Sequence, residues 1–347
     1  MINVLIVDDS LTSREYLKQI IASDPELTVI GEARDGKEAL MLAEKKRPHV
    51  IVMDILMPGL NGYEATRAIM ETCPAPIVIN SALATPGQTE IVFQAMNAGA
   101  VAVCQKPSGF GHPDSAGLIE KLLRMIKLMS EVKVVRLLYP KKKLSRTDFT
   151  NIASFKRIES RIDIIAIGAS TGGPPVLHTI LSNLAKNFST PMIVVQHIAA
   201  GFLEGMIEWL SKETALTLKI PKTGERIQAG HVYFAPEDHH MEITPSRHFM
   251  ITKMGLNEVV KRPITHLFNS IAKIFGENSV GILLTGMGTD GAQGLKEMNS
   301  KGALTLAQSK ESSVVFGMPG EAVNLKAATY IFSPAEIATF LNTLLRH

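Results

Sequence analysis

The sequence predicts an α/β protein made of two doubly wound parallel-sheet domains, the second carrying an antiparallel hairpin. Three observations support this. Short apolar runs alternate with helical patterns in both halves of the chain, the signature of βαβ units. A length of 347 residues suits two domains at about 150 residues each. A polar, basic stretch interrupts the alternation between them. The expected organisation is one domain over 1–130, a linker over 131–161 and a second domain over 162–347.

In the first half, Asn3–Val7 reads as a strand and Leu11–Ala22 as a helix. Thr28–Ala33 is strand-like, Gly36–Lys45 helical, and Val50–Met53 an apolar run. Pro76–Asn80 is a further run, followed by a helical stretch over Gln88–Asn97, a run at Ala100–Cys104 and an amphipathic helix at Leu118–Met129. In a parallel sheet the strands are buried on both faces, so continuous apolar runs are what such strands should look like. After the linker, Ile162–Ile167 is a strand, Pro174–Leu184 a helix, Met192–Gln196 a strand and Phe202–Glu213 a helix. Val280–Leu284 is a strand ending in a Gly-rich turn, and Gly294–Ser300 is helical. Between these, Ile220–Ile251 has short alternating runs with turn residues, which predicts antiparallel pairing.

Charge narrows the function. The chain holds 36 Lys and Arg against 33 Asp and Glu, a net +3. Glu131–Asp163 alone has nine basic and four acidic residues, which leaves 27 basic against 29 acidic elsewhere. The surplus therefore belongs to the linker, around Lys141–Lys143. A nucleic-acid face needs clustered basic charge on a folded domain, so no nucleic-acid partner is expected. At 46% apolar residues the chain can build ordinary cores. No run approaches the roughly 18–20 apolar residues of a membrane span, and Met1–Ser10 reaches two Asp without a basic residue, unlike a signal peptide. Cys73 and Cys104 give neither a disulfide framework nor zinc spacing. A cytoplasmic protein without membrane insertion is expected.

Two groups of residues carry chemistry. Asp8 and Asp9 end the first strand of the first domain, and Asp54 follows its third. Ligands of doubly wound sheets bind outside the carboxyl ends of strands. Three carboxylates converging there call for a hard divalent cation, Mg²⁺ by preference. Ser81 and Lys106, at the ends of the next two strands, add a hydroxyl and an ammonium suited to a phosphoryl group. In the second domain, Gly168-Ala169-Ser170-Thr171-Gly172 fits G-x-S-x-G, the pattern of a nucleophile elbow, and equally a tight strand–helix turn. In this turn Gly168 and Gly173 are present without the G-x-G-x-x-G spacing, and GK[ST] is missing too. His197 ends the next strand, and Asp290 lies in the Gly-rich loop Thr285–Gly291. Asp290 could orient a base, or cap the helix that follows it, with Gln293 completing a capping box. Ser, His and Asp at the carboxyl ends of strands in one sheet meet the requirement for a triad. The order Ser, His, Asp is not that of α/β-hydrolases.

These motifs resemble known families. Asp8-Asp9, Asp54 with Met57-Pro58-Gly59, Ser81 and Lys106-Pro107 resemble the response-regulator receiver domain, a flavodoxin-like fold with a five-stranded parallel sheet. The resemblance implies Asp54 as phospho-acceptor, Mg²⁺ held by Asp8, Asp9, Asp54 and the carbonyl of Leu56, and phosphate support from Ser81 and Lys106. One departure is Val103, where receivers often carry an aromatic switch residue. Ala169–Gly173, Gln196-His197, Ala235-Pro236 with His240-Met241, Thr285–Gly291 and Val315–Pro319 resemble the chemotaxis protein-glutamate methylesterases (CheB). This implies Ser170 as nucleophile, His197 as base and Asp290 as its orienting partner, with oxyanion support from Thr171, Gly172, Gly173 and Met287. The implied function is phosphorylation-regulated hydrolysis of glutamate γ-methyl esters, with deamidation of glutamines as a companion reaction. A chemotaxis histidine kinase is the implied phosphodonor, methyl-accepting chemoreceptor helices the substrate, Mg²⁺ the receiver's cofactor, and the esterase needs none. A monomer is expected. Ala199-Ala200, where the family usually has Pro-Pro, and His266 depart from the pattern near the expected cleft. The alternative reading is a phosphorylation-dependent adaptor of a sensory array.

Overall fold

The structure is a computed structural model that describes residues 1–81, 86–107, 115–132, 134, 161–255 and 263–344. The expected linker around Lys141–Lys143 lies outside the described residues.

The first domain runs β1 (Ile2–Val7), α1 (Leu11–Ala22), β2 (Leu27–Ala33), α2 (Gly36–Lys46), β3 (Val50–Met53), α3 (Gly62–Thr72), β4 (Ile77–Ser81), α4 (Pro86–Asn97), β5 (Ala102–Gln105) and α5 (Ser115–Ser130). Its five strands form one sheet in the order β2-β1-β3-β4-β5, and every pairing is parallel. β3 and β4 are buried along their full length because helices cover both faces.

In the first domain, helix α3 escapes the sequence patterns. Its buried face is Gly62, Ala65, Thr66, Ile69 and Met70, where small and polar residues blur the 3.6-residue period. Its N-terminus is written more clearly: Asn61 and Glu64 form a reciprocal capping box. Gly62 is needed there for space. A Cβ on it would overlap the carbonyl oxygen of Asp54 and lie 2.8 Å from the Cα of Ile55.

The second domain continues with β6 (Ile164–Ala169), α6 (Gly173–Ser182), β7 (Met192–Gln196), α7 (Leu203–Ser211), β8 (Thr217–Lys219), β9 (His231–Phe234), β10 (His239–Ile243), β11 (Phe249–Lys253) and α8 (Pro263–Phe275). Then follow β12 (Ser279–Leu283), α9 (Ala292–Ser300), β13 (Leu304–Gln308), α10 (Met318–Asn324), β14 (Tyr330–Phe332) and α11 (Pro334–Thr343). Seven strands make a parallel sheet in the order β14-β13-β12-β6-β7-β9-β8. The antiparallel expectation over Ile220–Ile251 holds for β10 with β11 and for the bridge of Arg226 to His248, whereas β9 within it joins the parallel sheet beside β7.

The two domains touch. Phe93 of α4 stacks on Trp209 of α7, ring centroids 5.5 Å apart, and Trp209 in turn stacks on His178 of α6 at 4.7 Å. Glu90 pairs with Lys212 at 2.7 Å beside them. Apolar packing is continuous across this junction. No helix among the described residues is long and apolar enough to cross a membrane.

Gly62→Ala should lower the stability of the first domain by about 1–3 kcal/mol, the usual cost of forcing a carbon into a filled space. Urea unfolding followed by circular dichroism checks this; an unchanged midpoint would contradict the close approach.

Candidate active site

β12, β6 and β7 lie side by side at the centre of the seven-stranded sheet. The chain reverses its direction of sheet growth at β6, the place where doubly wound sheets open a crevice. Ser170 directly follows β6, His197 follows β7, and Asp290 lies in the loop beyond β12. Residues that are 27 and 93 positions apart in sequence thus share one end of the sheet.

The backbone of Ser170 is tied on both sides. Its N–H donates to the carbonyl of Thr285 (3.0 Å), and its carbonyl accepts from Gly173 N (2.8 Å) and Gln196 Nε2 (2.8 Å). Gly172, at φ +78°, turns the chain sharply into α6. A hub holds this turn to the loops around it. The buried Thr285 Oγ1 donates to the carbonyl of Thr171 and accepts from Val315 N, at 2.9 and 3.0 Å.

His197 Nε2 lies 3.0 Å from Asp290 Oδ2. With the proton on Nε2, the Nδ1 lone pair is the one free to act as a base. Ser170 and His197 line the same cavity, and no hydrogen bond joins them in this arrangement. Asp290 Oδ2 also accepts from Ile264 N (3.1 Å), and its Oδ1 accepts from the N–H and hydroxyl of Thr265 (3.0 and 2.8 Å). Burial raises the Asp290 carboxyl, but the bonds from His197 and Thr265 outweigh it and hold the group below the usual carboxylate range. The capping alternative is therefore half right. Asp290 caps a helix, but that helix is α8, distant in sequence; α9 has Gly291 at its N-cap and no side-chain cap.

Of the four oxyanion candidates, Gly173 is corrected. Its N–H is already committed to the Ser170 carbonyl. Thr171, Gly172 and Met287 line the cavity beside Ser170. That cavity, about 420 Å³, lies between the domains: Val103, Lys121, Arg124 and Met125 of the first domain line it together with Ser170 and His197.

At the other site, Asp8, Asp9 and Asp54 each place a carboxylate oxygen within 4.8 Å of the others. Lys106 Nζ sits 2.5 Å from Asp8 Oδ2 and 3.0 Å from Asp54 Oδ2. Burial raises the Asp54 carboxyl, Lys106 lowers it and Asp8 raises it, with a net upward shift. Asp8 Oδ2 is buried and receives the Lys106 charge without a directed hydrogen bond. An acidic cluster with an oxygen so placed fits a hard divalent cation. Ser81 is buried at the end of β4, next to Lys106, whose N–H donates to the Ser81 carbonyl (2.8 Å).

A five-stranded parallel domain with an acidic strand-end pocket, packed against a parallel α/β domain with Ser, His and Asp at its switch point, defines a receiver joined to an α/β effector. Comparison with known proteins agrees. Residues 4–112 match the response regulator receiver domain and residues 165–341 match CheB methylesterase. The chain is 45% identical to a protein-glutamate methylesterase/protein-glutamine glutaminase of Nitrosospira multiformis, covering 99% of this chain and 97% of that one. It is 42% identical to one from Syntrophus aciditrophicus, over 98% and 97%. The crystal structure of the Thermotoga maritima CheB methylesterase catalytic domain superposes with a TM-score of 0.50 at 33% identity, covering 53% of this chain and 99% of that one. The chain belongs to the CheB methylesterase family, with a response regulator receiver domain at its N-terminal side.

Thr265 is a residue the sequence patterns missed. It lies 25 positions from Asp290, and no local motif links the two. Thr285 begins the Gly-rich loop Thr285–Gly291, but its role as a hub needed the fold. Thr265→Val should cost about 1.5–3 kcal/mol, the range for a hydrogen bond to a charged group. The sign of its pH effect follows from the depressed Asp290 carboxyl. That group contributes stability above the ordinary carboxylate pKa, and the contribution is lost as pH falls through its folded value. Without the hydroxyl donor the contribution should be smaller and its loss complete at a higher pH, which acid-unfolding curves of the two proteins would show.

Proposed function

We propose that this protein hydrolyses glutamate γ-methyl esters on chemoreceptor helices, with Ser170 as nucleophile, His197 as base and Asp290 as the residue that orients His197. The observation that supports this most is the His197 Nε2–Asp290 Oδ2 pair at 3.0 Å, on the same cavity wall as Ser170. In the first step Ser170 Oγ attacks the ester carbonyl and His197 Nδ1 takes the hydroxyl proton. The tetrahedral intermediate collapses, and methanol leaves with the proton from His197. Water then attacks the acyl-enzyme and gives a proton to His197. The glutamate carboxylic acid departs and Ser170 recovers its proton. A glutamine substrate follows the same course with ammonia as leaving group, in keeping with the second half of the relatives' name. Asp290, ionised and held by three donors besides His197, stabilises the imidazolium formed in each step. The backbone N–H groups of Thr171, Gly172 or Met287, which line the cavity, serve the oxyanion.

The first domain regulates this reaction. Asp54 is the phospho-acceptor for a chemotaxis histidine kinase, and Asp8, Asp9 and Asp54, with the Leu56 carbonyl, would hold Mg²⁺. That ion, when bound, neutralises phosphoryl oxygens. Lys106, already facing Asp8 and Asp54, adds a positive charge for the phosphoryl group, with Ser81 beside it. A phosphoryl group adds a charge of about −1.5 to −2. It acts on the packing of α4 and α5 against the second domain, which here roofs the cavity of Ser170 and His197. Residues 1–130 are the receiver, 131–161 the linker and 162–347 the catalytic domain. The protein works as a cytoplasmic monomer.

Ser170→Ala should abolish methanol release from methylated receptor; retained activity would end the assignment of the nucleophile. A fragment beginning at Ile162 should be more active than the unphosphorylated whole chain, since it lacks the roof. Equal activities in a methanol-release assay would sink the occlusion model.

A further inference from the structure

Gln196 is the last residue of β7 and precedes His197. Its side chain is buried. Its Nε2 donates to the carbonyl oxygen of Ser170 and to that of His197, both at 2.8 Å. One amide thus uses its two hydrogens to join the backbone of the nucleophile to the backbone of the base. The orientation of the amide is fixed by these partners. Turned over, its own oxygen would face two carbonyl oxygens, and no hydrogen bond could form.

The other side of the amide shows what this arrangement costs. Gln196 Oε1 is buried without a hydrogen-bond partner. It lies against the backbone of Gly173, where a Cβ would overlap it and lie 3.0 Å from Gln196 Cδ. A buried acceptor left unpaired lowers stability, because the water it lost is not replaced. An arrangement that keeps such an acceptor, and a bare glycine to admit it, is not explained by stability alone. The strands do not need Gln196 for their alignment, because β6 and β7 pair along Ile165–Ala169 and Met192–Gln196 through their own backbones. Just past the strand ends His197 N still donates to the Ala169 carbonyl (2.9 Å), and Gln196 adds a second tie that joins the carbonyl of His197 to that of Ser170.

We infer that Gln196 is a positioning residue for ester hydrolysis, setting the separation of Ser170 from His197 by holding both of their carbonyls. This rests on the reading of Ser170 and His197 as nucleophile and base. Asp290 fixes the far nitrogen of the imidazole, and Gln196 fixes the backbone from which the ring projects. The two together leave the ring little freedom except toward Ser170. Proton transfer from Ser170 depends steeply on this separation, and a displacement of about 1 Å can cost roughly 100-fold in rate.

The test uses the full chain, activated with a small-molecule phosphodonor, and methylated receptor as substrate. Gln196→Met keeps the length of the side chain and removes both donors. Gln196→Glu keeps the shape and sets a carboxylate oxygen against the two carbonyls, so a second variant is available if the first fails to fold. For protein with a native circular-dichroism spectrum, kcat should fall about 10–100-fold with KM within twofold of the parent. The reaction of Ser170 with a fluorophosphonate, which needs the base but no receptor binding, should slow by a similar factor. A folded variant with normal kcat, or one with slow ester hydrolysis and normal fluorophosphonate labelling, would overturn the inference. Ser170→Ala run alongside separates the two layers. If it retains activity, the catalytic reading itself fails; if it is inactive while Gln196→Met is fully active, only the positioning role fails.

Discussion

The buried carboxylate of Asp290 is the constraint on which the catalytic domain turns. An ion moved out of water costs several kcal/mol unless its oxygens are satisfied. Asp290 meets that demand with donors from two parts of the fold: the His197 ring, and the amides of Ile264 and Thr265 with the Thr265 hydroxyl. The same four contacts therefore do two jobs. They start α8 over the negative charge that a helix N-terminus favours, and they point the imidazole. Gly291 N, donating to Thr265 Oγ1, closes the ring of contacts back onto the loop that carries Asp290.

Capping across space recurs around the cleft. The start of α7 has no side-chain cap of its own. Glu237, from the turn after β9, accepts from Gly201 N at 2.9 Å and Leu203 N at 3.3 Å. This anchors the Ala199-Ala200 segment that follows His197. Burial raises the Glu237 carboxyl, and the Gly201 bond only partly opposes it. The loops that shape the site are thus fastened by residues distant in sequence, and the helices α7 and α8 serve as their anchors.

Placement of the receiver follows from surfaces that are apolar on both sides. Phe93, Trp209 and His178 form a continuous stack from α4 through α7 to α6. On the neighbouring face, Leu118, Lys121, Met125 and Leu128 of α5, at helical spacing, look onto the cavity that Ser170 and His197 line. Both contact surfaces belong to elements near β5 and Lys106. The acidic pocket is joined to this side of the domain by Lys106, which follows β5 and pairs with Asp54 at 3.0 Å.

Much was legible in the chain. Buried strands read as apolar runs because both of their faces are covered, and strand-end Asp, Ser, His and Lys residues stood out because polar residues there have few structural duties. Helix α3 was hidden by Gly62, Ala65 and Thr66 on its buried face, and β13, α10, β14 and α11 lie outside the expected elements. Local sequence could also not say which donor met which acceptor. It offered Asp290 a helix next door, and the fold gave it α8; it offered Gly173 to the oxyanion, and the turn spent that N–H on Ser170. By itself, then, the sequence determined the two α/β domains and the residue types at the ends of their strands, since these depend on period and neighbours. The tertiary structure alone decided the pairing of Asp290 with Thr265, the tie of Gln196 to Ser170 and His197, and the receiver's seat over the cleft. Those are matters of distance between segments that only the packed sheet brings together.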